Sequence, residues 1–404
     1  MSYSGIISTN AYIKRLGIVN KQLEQLFRKE LTRKEFINWS ALLIVSMFGV
    51  GGVLETLRSH AATPEASEEA EKGTLTGPAQ IINDSSASGG EAVAFGQAAV
   101  GPIPSDLSET PPAPWPSGSI FTSLIPISPT LASNSATLVT AFAGNIKDAG
   151  STGPGLNAYT FTPTRYEVHS SVTPTVPLTI TGNGVGTPTG TMNIPIPSGA
   201  ISDSTSLDDE MVIWDLDTQT VWEIYRAKYS STTGLWSANC AATSSTATGN
   251  GVFTRSGLAN TCSASGISYL GSQITARDLK AGVIKHAIAC AIPQTANFFV
   301  APAKYHDGNN TTADAIPEGT RMFFPKTVTM PSGLGTLAQM VFVAIQTYGM
   351  YILDTSGSVS IYGENSTAWT HAGQANIYTG LIANYYGTFH TLPWSQLEVL
   401  AVPE

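Results

Sequence analysis

Met211-Val-Ile-Trp-Asp215, the turn Leu216-Asp217-Thr218-Gln219 and Val221-Trp-Glu-Ile-Tyr-Arg-Ala227 decide the fold class. Two short runs of β-branched and aromatic residues, split by a polar turn, read as a β-hairpin. Tyr159-Thr-Phe-Thr162, Val176-Pro-Leu-Thr-Ile180 and Met192-Asn-Ile-Pro-Ile196 are runs of the same kind. From Ile120 onward they recur between Gly, Pro, Ser, Thr and Asn clusters, the pattern of a sandwich or barrel. The expectation is an all-β domain over residues 118–404, a β-sandwich of jelly-roll or concanavalin-like type with one or two short helices. The hairpin is expected to bring Asp215 and Glu223 near each other, and paired carboxylates are the raw material of acid–base chemistry. Such residues also serve as plain solvent-facing ones.

Leu337, Met340, Val341, Ala344, Ile345 and Tyr348 fall on one helical face, and Gly349 suits the left-handed end of that helix. The strand Met350–Asp354 follows, with Ile352 and Asp354 expected on one face. A shorter helix over Ala276–Lys280 stops at Gly282 and feeds a strand over Val283–Ala291. There the two-residue period puts His286 on a face with Ile284, Ile288 and Cys290. A histidine so placed is either a satisfied core residue or, beside a carboxylate, a proton-transfer group working near neutral pH. Asp307, Glu318 and Asp354 are the candidate carboxylates. Glu318 and Arg321 also fit a surface ion pair. Arg321, Gln346, Tyr348, Tyr305 and Glu223 are the candidate ligand-positioning residues, and Tyr351 and Tyr362 add flat faces on which sugars stack.

Before the β-rich region the chain changes character. Residues 1–38 read as a basic, amphipathic cytoplasmic arm with Leu23, Leu26 and Phe27 among charges. Residues 39–62 are an apolar run behind Arg28, Lys29, Arg33 and Lys34, the organisation of a signal peptide. Ser59-His60-Ala61 offers a cleavage site, while tilting or bilayer thinning would keep the run as an anchor. Both alternatives stand, and either places the rest outside the cytoplasm, with the membrane contacted only through this segment. Residues 63–97 form a short β segment, and residues 98–117, with Glu109-Thr-Pro-Pro-Ala-Pro-Trp-Pro116, fit an extended proline-rich linker.

Eight of the 20 Lys and Arg precede residue 59, so the exported part is acidic. It lacks the basic stripe that supplies most nucleic-acid affinity, which argues against DNA or RNA as a partner. Cys240 and Cys262 flank a Ser/Thr/Gly loop and are positioned in sequence to pair in an oxidising compartment, leaving Cys290 as a buried thiol. No Cys-x-x-Cys, His-x-x-x-His or dense acidic loop marks a metal site. No Gly-x-Ser-x-Gly or Walker loop marks a nucleophile or nucleotide, and the expectation is no cofactor.

Ala70 to Gly96 resembles the opening strands of galactose-binding-like carbohydrate-binding modules, without the strands that complete one. A second resemblance rests on Ile194-Pro-Ile-Pro-Ser-Gly-Ala200, the hairpin, Lys285-His-Ala287, Asp307-Gly308, Ile316-Pro-Glu-Gly-Thr-Arg321 and Gln346-Thr-Tyr-Gly-Met-Tyr-Ile-Leu-Asp354. In their order and spacing, Ile194 to Asn365 resembles an uncharacterised family of secreted bacterial β-rich proteins. That family commonly has Asp-Gly-His ahead of the hairpin, where this chain has Asp208-Asp209-Glu210. The resemblance implies a secreted β-rich domain and brings no activity with it.

The functional expectation from the residues is a protein that binds an extracellular polysaccharide or cell-wall glycan and, in its fuller form, cleaves it as a glycoside hydrolase or polysaccharide lyase. His286 or Asp354 would move the proton. The alternative is a non-catalytic cell-surface or adhesion module.

Overall fold

Ile288-Ala-Cys-Ala-Ile292 is buried at every position, and its alternation explains the layering around it. In a computed structural model, which describes residues 79–83, 91–95, 101–148, 154–182, 188–203, 208–382 and 384–402, this segment is strand β12. It lies inside a six-stranded sheet ordered β18 (Glu398–Val399), β15 (Arg321–Phe323), β16 (Met350–Thr355), β12 (Ile288–Ile292), β17 (Ser360–Tyr362), β3 (Gly155–Asn157). Ile288, Cys290 and Ile292 face helices α1 (Ser135–Asp148) and α4 (Thr336–Thr347), sharing a core with Phe142, Leu337, Val341 and Ile345. Ala289 and Ala291 face the other way, and with Ala287 they meet Val212, Trp214, Val221 and Ala242.

Those partners belong to a four-stranded sheet ordered β11 (Cys240–Ser245), β8 (Thr220–Tyr225), β7 (Met211–Asp215), β4 (Thr164–Val168). Small alanines on one sheet let the large Trp214 of the other fill the space between them, keeping the core at crystal-like density. The outer face of this sheet, through Tyr166, Met211, Ile213 and Ile224, packs on a further sheet ordered β6 (Gly190–Ile194), β5 (Val176–Ile180), β10 (Leu235–Ala238), β9 (Lys228–Ser230). A two-stranded pair, β13 (Thr295–Phe299) and β14 (Ile316–Glu318), lies beside these layers in the chain order. By itself, the preceding unit carries an antiparallel hairpin of β1 (Ala79–Asn83) and β2 (Glu91–Phe95).

The chain is thus β-rich with few helices, and the 211–227 hairpin pairs as read, Val212 opposite Glu223 and Trp214 opposite Val221. The long helix ends as expected, with Gly349 at φ +81° taking the carbonyls of Ala344 and Ile345. Helix α3 (Ala276–Ala281) starts on a reciprocal Thr275/Asp278 capping box and ends at left-handed Gly282.

Several expectations are corrected. The described residues hold five α-helices, adding α1, α2 (Tyr269–Ser272) and α5 (Ser366–His371) to the two expected. In α1, Leu138, Val139 and Phe142 make the buried stripe, but the surrounding Ser, Thr, Ala and Gly hide it among turn-like composition. Tyr159–Thr162 is a bend instead of a strand, and Val283–Ala287 runs as irregular chain into β12. Several ladders are parallel, β12 with β16, β3 with β17 and β4 with β7, where a jelly-roll would be antiparallel.

The proline-rich stretch is no free linker and 118 is no boundary, since the compact unit begins at Gln97. Arg277 donates to the carbonyls of Glu109 and Asp106 at 2.6 and 2.8 Å, and Lys280 to that of Leu107 at 2.7 Å. Trp115, 2% exposed, sits in the inter-sheet core against Phe121 and Phe253. Gly271 is required there, because a Cβ would overlap the Phe121 ring. The arm, export and anchor segments of residues 1–62 lie outside the described residues. Among the described residues, no helix is long and apolar enough to cross a membrane.

Trp115→Ala should therefore destabilise the protein by about 3–5 kcal/mol, as emptied aromatic core sites do. Urea unfolding measures this, and an unchanged midpoint would return residues 101–117 to the status of a linker.

Candidate functional site

Strand ends of the two facing sheets open into a cavity of ≈ 930 Å³. Its acidic wall is Asp208, Glu210, Asp307 and Asp354, and its aromatic wall is Tyr159, Phe161, Tyr225, Tyr269, Tyr362, Tyr385 and Tyr386. Arg255 and Asn260 line it from the 252–268 loop, together with Cys240 and Cys262.

Asp354 reaches the cavity because the β12–β16 ladder slips: Cys290 pairs with Ile352, but Ala291 pairs with Asp354. The extra residue, Leu353, is a β-bulge, which re-aims the side chain after it. Ile352 stays in the helix-side core and Leu353 joins the inter-sheet core, while Asp354 turns to Tyr269. Ile352 and Asp354 consequently do not share the face that strict alternation predicts.

The Tyr269 hydroxyl lies 3.4 Å from Asp354 Oδ2 and also bonds the Glu210 carboxyl. A phenol has one proton, so the hydroxyl can serve as donor to only one of the two carboxyls at a time. Burial pushes the Asp354 carboxyl up to about 8, with the Asp307 carboxylate adding to the effect. Burial also raises Glu210 well above the usual carboxylate range, reinforced by Asp354 and Asp208. Asp208 is raised too, by burial and by Asp203.

Behind Asp307 a hydrogen-bonded chain holds the floor. Thr355 Oγ1 donates to Asp307 Oδ1 at 2.7 Å and meets Thr295 Oγ1 at 2.6 Å, and Thr295 donates to Glu318 Oε1 at 3.1 Å. Glu318 is 0% exposed, its Oε2 has no hydrogen-bond partner, and burial next to Asp307 pushes it up to about 9. Its neighbour Gly319, at φ +90°, passes so close to the Val300 carbonyl that no Cβ fits.

Of the expected site residues, Asp307 and Asp354 thus converge on one cavity, and Glu318 stands directly behind them. Tyr362 lines the aromatic wall, and the others do not join. His286 Nε2 lies 3.1 Å from Asp278 Oδ2 and Nδ1 2.9 Å from the Ala287 carbonyl, tying α3 to the irregular chain that leads into β12. Burial opposes its protonation, but the Asp278 charge wins and holds its pKa above the ordinary value. Arg321 donates to the carbonyls of Tyr348 and Ser123, without pairing to Glu318. Gln346 donates to those of Pro325 and Val328, and Tyr348 packs against the inter-sheet core. Tyr305 supports the wall indirectly, its ring 4.2 Å beneath the Arg255 guanidinium. Glu223 accepts from Ser268 Oγ at 2.6 Å and Leu270 N at 2.9 Å, and burial lifts it to about 7. Asp215 is spent on the turn, accepting from Thr218 at 2.5 Å, so no Asp215–Glu223 pair forms.

Sequence reading missed Asp208, Glu210, Tyr225, Tyr269 and Arg255. The one available signal was Asp208-Asp209-Glu210, a charged tripeptide before a buried hairpin. Among the described residues, no group of three or more His, Cys, Asp and Glu is arranged to hold a metal ion.

Asp354, Glu318 and Glu223 keep protons in the folded state that the unfolded chain releases near its ordinary carboxyl pKa. Their contribution to stability is full below about pH 4 and is lost as pH rises toward about 7 for Glu223, about 8 for Asp354 and about 9 for Glu318. Melting temperature should fall from about pH 5 to about pH 9, and Asp354→Asn should raise it by about 4 °C at pH 8 and hardly at all at pH 4. Differential scanning calorimetry across pH reads both, and an equal shift at both pH values would contradict the raised Asp354.

Compared with family models, curated proteins and solved structures, the chain gives no match.

Proposed function

We propose that this protein binds a neutral or cationic glycan chain in the acidic, tyrosine-walled cavity and hydrolyses it with Asp354 as general acid. The observation that carries the reading is the gathering of Asp354 and Glu210 on one tyrosine hydroxyl, with Asp307 beside them, in a cavity large enough for several sugar rings. Glycoside hydrolysis needs one carboxyl protonated at working pH and a second ionised. Burial supplies the first in Asp354. Asp307, fixed by Thr355, is the second.

In the step, Asp354 gives its proton to the glycosidic oxygen as the C–O bond breaks. The Asp307 carboxylate either takes a proton from attacking water or itself bonds the anomeric carbon. Tyrosine rings supply the stacking faces that sugars prefer. The surplus of carboxyls repels polyanionic glycans, Arg255 being the cation on the wall.

In this reading the two facing sheets are the sandwich on which the site is built. The basic-flanked apolar run at 39–62 exports or tethers it, so that it works on surface or wall polymers. The resemblance to secreted bacterial β-rich proteins fits that location.

The test incubates purified protein with bacterial, plant and algal polysaccharides and peptidoglycan, and looks for released oligosaccharides by mass spectrometry. Release is expected from at least one polymer of low negative charge. Asp354→Asn should keep the fold and lower release by about 100-fold or more, the usual scale for a lost general acid. Retention on a polymer without release would make the protein a binding module, and neither retention nor release would remove the glycan reading.

A further inference from the structure

Cys240 opens strand β11, and Cys262 lies 22 residues later on the loop that leads to α2, yet their Sγ atoms are 3.4 Å apart. Both thiols are positioned by backbone and not only by each other. Cys262 Sγ lies 2.9 Å from the Glu223 carbonyl and Cys240 Sγ 3.4 Å from that of Thr261. The chain between them returns to β11 through Asn260 N, which donates to the Ala241 carbonyl at 2.9 Å, and through an Ala241–Ala259 bridge. Arg255 and Asn260, the polar wall of the cavity, are carried on this excursion, and both cysteines face the same cavity. Cys290 is 0% exposed in the helix-side core, away from this wall.

We propose that Cys240 and Cys262 are a disulfide-forming pair that clamps the 252–268 loop to strand β11 when the protein meets a small-molecule disulfide. The Cys240 thiolate, favoured by the Cys262 hydrogen bond and the Arg255 charge, attacks one sulfur of the oxidant and expels a thiolate. Cys262 then loses its proton, and its sulfur displaces the second thiolate from the mixed disulfide. Two protein thiols become one disulfide, and the oxidant becomes two thiols. The loop so closed removes freedom from the unfolded chain and stabilises the fold. This inference stands on the sulfur geometry and is independent of the glycan reading.

The experiment treats the full chain with oxidised glutathione, then alkylates it with N-ethylmaleimide under denaturing conditions. Expected are one alkylated thiol, at Cys290, a Cys240–Cys262 cross-linked peptide, and a melting temperature about 5 °C above that of the reduced protein. Reduction should restore three alkylated thiols, and Cys240→Ser should lose the rise in melting temperature while folding as the reduced protein does. Three alkylated thiols after oxidation, a stable glutathione adduct or a link to Cys290 would each overturn the pair. A cross-link without a change in melting temperature would overturn the clamp.

Discussion

Burial of one short strand on both faces is the constraint on which the rest depends. Ile288–Ile292 has no polar side chain, so each face must be covered, and the two faces ask for different partners. Isoleucines and a cysteine present depth to the helices. Alanines present flatness to the second sheet, whose Trp214 and Val212 then reach across. Parallel pairing of β12 with β16 is possible because β15, antiparallel to β16, runs the chain back along the sheet before the helix Thr336–Thr347 covers its face and leads into β16.

The polar residues inside this framework divide into ties and a site. Arg321, Gln346, Glu223 and Arg165 end on backbone groups of neighbouring segments, satisfying carbonyls or amides that loops would otherwise bury unpaired. Arg165, 2% exposed, donates to the Leu270 carbonyl and pairs with Glu167, fixing the segment that carries Tyr269. Asp354, Glu210 and Asp307 differ, because their carboxyls also meet one another's fields across a cavity, Asp354 keeping a single backbone donor in Thr355 N at 2.8 Å. Carboxyls held together this way cost stability at neutral pH, and sites are where such costs persist.

The bulge at Leu353 links fold to site. Strict alternation would send Asp354 into the apolar helix-side core, an expensive place for a carboxyl. One extra residue turns it into the cavity with no change in the strands on either side. Cys240 and Cys262 show the same economy at the opposite wall, where a single strand start and a loop end bring two thiols into contact.

Local chemistry in the sequence was enough to determine the β-rich class, the 211–227 hairpin, the Leu337–Ile345 helical face with its glycine stop, and the short helix over Ala276–Lys280 with its stop at Gly282, because each depends on residues within a turn or two of one another. It also singled out Asp307, Glu318 and Asp354 as carboxyls beside apolar strands. Tertiary structure alone decided that His286 serves a helix and that Arg321 and Gln346 serve loops. It alone brought Tyr269 to Asp354 across 85 residues and Glu210 to both. Such a site is assembled where strand ends from distant parts of the chain meet, and the bulge that aims its central carboxyl is a property of pairing between strands, which no single strand's pattern records.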